Sequence, residues 1–173
     1  MSAESSFIPT SSQTVGPYFR IGLEHLVASA PAVEPSSAIT IQGRVLDRDG
    51  VPVSDAMLEF WSHGESHAQP FPERFRRVAT DIDGAFNLII PRPEQAEAGQ
   101  APYLLVLIFA RGLLRHLVSR VYFDDEATND RDNVLLTVPA ERRSTLVARS
   151  HGSATYRWDV ILQGAGETVF FAW

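Results

Sequence analysis

From residue 38 onward the chain alternates apolar and polar positions in short runs, each closed by a turn. "AITIQGRVLD" (38–47) sets Ile39 and Ile41, then Val45 after a glycine, at strand spacing, and "DRDG" (47–50) turns the chain back. "SDAMLEFWS" (54–62) alternates Met57 with Glu59 and Leu58 with Phe60. "RRVATDIDGAFNLIIP" (76–91) holds a second turn, "DIDG" (81–84), followed by Phe86, Leu88 and Ile90 at period two. Four more runs follow: "YLLVLIFA" (103–110), "HLVSRVYF" (116–123), "ATYRWDVILQG" (154–164) and "TVFFAW" (168–173). Short β-branched or aromatic runs between Asp-Gly and other Gly-containing turns predict an all-β fold, an antiparallel β-sandwich. The run from 103 is apolar enough to predict a strand buried on both faces. One segment predicts a short helix, "PAERRSTLVARS" (139–150), with Pro139 in its first turn and Gly152 just past its end. Residues 91–101 predict a long loop.

Ahead of the strands the pattern changes. The first twelve residues are small and polar, and predict a loose segment until something holds them. Gly16-Pro17 is a turn signal, and the proline pushes residue 16 away from helix. "ASAPAVEPSS" (28–37) reads as a Pro/Ser connector. The predicted organisation is therefore an N-terminal arm and connector over 1–37 and one β-sandwich domain over 38–173. The two Asp-x-Asp-Gly turns lie 34 residues apart, but nothing else recurs at that period, so no internal repeat is assigned.

Composition narrows the function classes. At 173 residues, 45% hydrophobic and 10% aromatic, the chain is long and apolar enough for one ordered domain with its own core. It has no cysteine, which removes disulfides, thiolate metal sites and cysteine nucleophiles and suits a reducing compartment. The net charge of −6 and the scattered arginines lack the basic face that a nucleic-acid binder presents. The longest apolar run, Tyr103 to Ala110, is far short of the ~20 residues a membrane helix needs. The start of the chain shows no secretory pattern, and a soluble, cytoplasmic protein is expected.

Candidate chemistry is sparse. Either Asp-x-Asp-Gly turn could open a calcium loop, but the twelfth positions that would need glutamate are Leu58 and Arg92. His63 and His67 have a spacing that suits a metal only on a helix, and Gly64, Pro70 and Pro72 argue for a loop. Asp124, Asp125, Glu126, Asp130 and Asp132 form an acidic stretch that predicts a solvated turn after a strand. No nucleophile elbow and no phosphate-cradling glycine loop occurs. Arg111 ends the apolar run from 103. On residues alone it reads as a rim arginine reaching water or pairing with an acid. The functional alternative is a fixed guanidinium offering forked donors to a carboxylate at a pocket edge.

Longer stretches supply more. "SQTVGPYFRIGL" (12–23), "LEFWS" (58–62), "IFARGLLRHLVSRVYFDDEA" (108–127) and "RWDVILQGAGETVFF" (157–171) together resemble the alpha subunits of protocatechuate 3,4-dioxygenase, within the intradiol ring-cleavage dioxygenase family. The likeness runs over nearly the whole chain in the same order. It implies a β-sandwich of the intradiol type and an oxidoreductase of aromatic catabolism, in the beta-ketoadipate pathway. In such an enzyme ferric iron, Fe(III), is held by two tyrosines and two histidines of a beta subunit. The positions matching the beta chain's His-x-His are Tyr103 and Leu105, and the loops matching its ligand tyrosines, "HGESHAQPF" and "PRPEQAEAGQ", contain no tyrosine. The resemblance thus implies that this chain binds no iron itself, has no catalytic residue of its own and is inactive alone. It implies that the chain completes a pocket for protocatechuate at the junction with the beta subunit, in a higher-order alpha–beta oligomer. The substrate-binding residues it assigns are Thr14, Gly16, Pro17 and Arg111, with Tyr18 as a fifth. The loop between Trp61 and Arg77 and the connector near 24–37 are shorter than the family's.

Two other functions compete with a non-catalytic subunit of a ferric dioxygenase. One is a stand-alone β-sandwich module that binds small aromatic acids through Arg111. The other is an autonomous metalloenzyme drawing ligands from His63, His67 and the acidic stretch.

Overall fold

Alternation along the chain is what the fold turns into layers. The computed structural model describes residues 10–28, 32–62, 74–95 and 97–172. Its strands are β1 (Ala38–Leu46), β2 (Met57–Ser62), β3 (Phe75–Ala79), β4 (Ala85–Pro91), β5 (Leu104–Phe109), β6 (Leu117–Phe123), β7 (Val147–Ser150), β8 (Thr155–Arg157) and β9 (Val160–Ile161). Ile39, Ile41 and Val45 of β1 are buried, as are Phe86, Leu88 and Ile90 of β4, while Arg44, Asn87 and Ile89 between them are exposed. These inward positions join Leu58, Phe60, Val106, Ile108, Phe123 and Trp158 in one core. Each such side chain contributes about 1.5–3 kcal/mol by leaving water.

Both aspartate-glycine turns form as predicted. Asp47 accepts the N–H groups of Asp49 and Val51, and Asp81 those of Asp83 and Ala85. Gly50 and Gly84 carry the positive φ, 76° and 68°, that the last turn residue needs.

The strands form one sheet in the order β3-β2-β5-β6-β7-β8-β1-β4, with β9 beside β1. The expected strand-dominated fold is present, but the sheet is mixed rather than purely antiparallel. β1 runs antiparallel to β4 and parallel to β8 and β9, and β6 is parallel to β7. The two ends of the sheet approach each other. Buried Arg76 of β3 closes the seam by donating its Nε–H to the Ile89 carbonyl of β4 at 3.1 Å.

The predicted strand 154–164 breaks into β8 and β9 because the chain crosses β1 at a glycine. A Cβ on Gly43 would lie 1.8 Å from the Trp158 carbonyl oxygen, so only glycine lets the backbone pass. Asp159 then takes the Arg44 N–H at 2.9 Å, a donor that the interrupted ladder leaves open.

Three other segments differ from expectation. The predicted helix at 139–150 is a 3-10 turn, Ala140–Leu146, followed by β7. Buried Leu146 packs there with Tyr122, Val138 and Val169, and the next residues extend beside β6. The arm contains an α-helix, α1 (Pro17–Ala28), with Pro17 at the first position and Phe19 N–H bonded to the Gly16 carbonyl at 3.0 Å. Residues 168–172 are irregular rather than a strand. Thr168 and Val169 are nonetheless buried, and Phe171 N–H reaches the Val118 carbonyl at 2.8 Å. Among the described residues no helix is long and apolar enough to cross a membrane.

β5 is buried on one face only. Leu104, Val106 and Ile108 are inaccessible, whereas Leu105, Leu107 and Phe109 on the other face are half-buried. Part of that outer face is covered by α1, through a ring contact of Phe19 with Phe109 at 5.2 Å.

Candidate functional site

The arm and the end of β5 meet around Arg111. β2 and β5 are antiparallel with Met57 opposite Phe109. Continuing that register two residues past the strand ends brings Asp55 opposite Arg111. The Arg111 Nε–H donates to the Asp55 carboxylate. The arginine side chain is 62% exposed and the aspartate 19%, so the pair is rooted on the acid and opens on the guanidinium. Among the described residues the two terminal nitrogens of Arg111 have no partner.

The next residue, Gly112, has φ +86°, which turns the chain sharply away from the strand. Its N–H donates to the Thr14 hydroxyl oxygen at 2.7 Å, fastening the arm beside Arg111. Gly16 and Pro17 follow in the chain and start α1, whose first turn docks on Phe109. Among the described residues a Cβ on Gly16 would meet no atom within 4 Å. Nothing among the described residues therefore demands a glycine there. Tyr18 is 81% exposed, and among the described residues no hydrogen bond or cation–π contact joins it to Arg111. Of the five residues assigned to the site, Thr14 and Arg111 are thus brought to adjoining positions. Gly16 and Pro17 are placed next along the arm, and Tyr18 stands apart on the surface.

A cleft of about 570 Å³ lies between the arm and the β5–β6 connection, lined by Gln13, Val15, Phe109, Leu114, Arg115 and His116 among others. Sequence reading missed Asp55 as the partner of Arg111, and Arg115 and His116 as residues lining this cleft, whose lining does not include Arg111 itself. Asp55 would have needed the β2–β5 pairing, which joins segments about fifty residues apart and leaves no local signal.

The positions matching ferric ligands are filled differently. Leu105 lies directly across from Arg120 of β6, and the Arg120 guanidinium carbon sits 3.9 Å from the centre of the Tyr103 ring. Arg120 is buried and donates to Gln100 Oε1 at 3.2 Å and to the Tyr122 hydroxyl at 3.4 Å. Leucine has no lone pair for a metal, and a buried guanidinium against Tyr103 repels a trivalent cation, so these residues do not fit ferric iron. Among the described residues no three His, Asp or Glu side chains come together to hold a metal ion. His63 and His67 lie outside the described residues.

The acidic stretch is structural rather than a simple solvated turn. Asp132 is fully buried. It accepts the N–H groups of Ala101 (2.7 Å), Val134 (3.0 Å) and Leu135 (2.6 Å), and the Tyr122 hydroxyl at 3.1 Å. Burial pushes the Tyr122 phenol well up, which keeps its proton available for that bond. Asp124 takes the Ser150 N–H, and Glu126 caps the following 3-10 turn through Thr128.

Asp125 pairs with Arg92 at 2.9 Å and accepts from Tyr156 at 2.8 Å. The Arg92 hydrogen bond holds its carboxyl below the ordinary 3.8. A depressed folded value means stability that is present above the ordinary carboxylate range and lost as pH falls through the lower folded value. Asp125→Asn should therefore lower the urea midpoint at neutral pH, by the equivalent of about 0.2–1 kcal/mol for so exposed a pair, and the difference should vanish in strong acid. A gap independent of pH would show that the charge plays no part.

No protein-family model matches the chain. It is 40% identical to the protocatechuate 3,4-dioxygenase alpha chain of Burkholderia cepacia, over 94% of this chain and 96% of that one. To the alpha chain of Pseudomonas putida it is 37% identical, over 94% and 95%. The Burkholderia cepacia beta chain is 24% identical over 75% of this chain and 66% of its own length. Among solved structures, the dioxygenase domain of a carbohydrate-binding fusion from Streptomyces sp. SirexAA-E superposes with a TM-score of 0.58 at 24% identity, covering 95% and 96% of the two chains.

Proposed function

The chain belongs to the protocatechuate 3,4-dioxygenase alpha-chain family, and on that premise we propose that it completes the substrate pocket of an alpha–beta intradiol dioxygenase. In this proposal a beta subunit holds the ferric iron and carries out the cleavage of protocatechuate by O2 to 3-carboxy-cis,cis-muconate. The alpha chain supplies a wall and a positive group and is inactive by itself. Cleavage between two ring hydroxyls needs the diol at the metal, so the ring carboxylate lies at the far end of the substrate. A guanidinium there meets it with paired donors.

The observation that carries this reading is Arg111 itself. Its guanidinium is fixed at Nε, exposed, and unpartnered at its outer nitrogens among the described residues. In this proposal Thr14 stands beside Arg111, Gly16 and Pro17 follow along the arm, and exposed Tyr18, apart from Arg111, meets the partner. The open space at Gly16 also suits a position where something from outside the chain comes close. The arm of residues 1–37 thus contributes to pocket and subunit contact, while the strands provide its mounting.

Co-expression with a beta chain tests the proposal. The two chains should copurify as an iron-containing complex that opens protocatechuate, and neither chain alone should do so. Chains that never associate, or iron bound stoichiometrically by the alpha chain alone, would overturn it.

A further inference from the structure

From the geometry around Arg111 we infer that Asp55 is a positioning residue that sets the direction of the guanidinium, and with it the enzyme's preference for a carboxylate-bearing catechol. This rests on the proposed role of Arg111 as the group that meets the substrate carboxylate.

The two aspartates that open the hairpin turns of this chain have a local task. Asp47 and Asp81 each accept two backbone N–H groups of their own turns. Asp55 accepts none. The turn it sits in is held by Thr80, which takes the Ala56 N–H at 3.0 Å and donates to the Val53 carbonyl at 2.8 Å. The Asp55 carboxylate is left with Arg111 as its partner among the described residues. A largely buried acid that does nothing for its own turn, opposite an arginine in the extended β2–β5 register, is placed to act on that arginine.

The side of the guanidinium it takes matters. Asp55 engages Nε, the nitrogen nearest the backbone, so the terminal nitrogens face outward with their N–H bonds available. An arginine free at Nε would sample several rotamers, and ordering it would oppose substrate binding. Competition is the opposite possibility, in which Asp55 draws the guanidinium away from substrate. The exposures argue against it, because the acid is 19% exposed and the arginine 62%, which leaves the free end of the pair on the arginine side.

The test uses the alpha–beta complex carrying Asp55→Ala or Asp55→Asn, checked for assembly and iron content. KM and kcat are compared for protocatechuate and for 4-methylcatechol, which keeps the diol and lacks the carboxylate. Loss of positioning should raise KM for protocatechuate about five- to tenfold while kcat/KM for 4-methylcatechol stays within about twofold. The asparagine, which keeps an acceptor without the charge, should fall between wild type and alanine. Asp55→Ala should add nothing once Arg111 is alanine. Equal losses on both substrates, a KM for protocatechuate that is unchanged or lower, or an effect that persists without Arg111 would each overturn the inference. The Arg111→Ala complex separates the two levels. If it discriminates between the substrates as wild type does, the role of Arg111 fails and this inference falls with it. If it loses discrimination while Asp55→Ala does not, the inference alone fails.

Discussion

Replacing Arg111 with alanine in the alpha–beta complex should raise the KM for protocatechuate by about ten- to a hundredfold and leave iron content unchanged. A hydrogen bond to a charged group contributes about 1.5–3 kcal/mol, and each 1.4 kcal/mol is a factor of ten in affinity. The guanidinium is far enough exposed that its pairing with Asp55 adds at most about 1 kcal/mol to folding, so assembly should survive the change. Arg111→Lys should fall between the two, because an ammonium keeps the charge but cannot match a carboxylate with a planar fork. The decisive comparison is KM against metal. A parallel loss of iron would place Arg111 in the scaffold of the complex rather than at its substrate.

The largest expected effect on folding lies elsewhere, at Asp132. Its carboxylate is the shared acceptor of three backbone N–H groups, those of Ala101 and Leu135 buried and that of Val134 half-buried, and of the buried Tyr122 hydroxyl. Removing it strands those donors without water, and loses the negative charge that faces Arg120 through Tyr122. Asp132→Ala should cost about 3–5 kcal/mol, a large part of the 5–15 kcal/mol typical of a domain. Asp132→Asn keeps one acceptor oxygen and should lose roughly half as much. Urea denaturation of the complex reads both, and a midpoint for the alanine variant close to wild type would show that the buried donors find other acceptors.

Local rules reached a long way into this fold. Period-two alternation located β1, β2 and β4, short apolar runs located β5 and β6, and the two Asp-x-Asp-Gly turns were legible because their hydrogen bonds close within five residues. What escaped depends on partners distant in the chain. β7 has only four residues, and it is a strand because β6 lies beside it. The split of residues 154–164 follows from a crossing at Gly43, more than a hundred positions earlier. Asp132 looks like one more acid in a polar stretch until Ala101 and Tyr122 converge on it. α1 was the exception: Gly16-Pro17 was read only as a turn signal, although Pro17 at a first helical position and Phe19 and Leu23 four apart were there to be read. Arg111 stood out from sequence as the polar end of an apolar run, whereas Asp55 is silent until β2 and β5 are paired.

The parallel pairing of β1 with residues 155–161 governs when this molecule can become itself. One side of β1 finds β4 within a few dozen residues, but its other side stays uncovered until the ribosome has delivered a segment more than a hundred residues later. Wrapping of the sheet is thereby deferred past most of translation, and the nascent chain carries an open β-edge until that segment arrives.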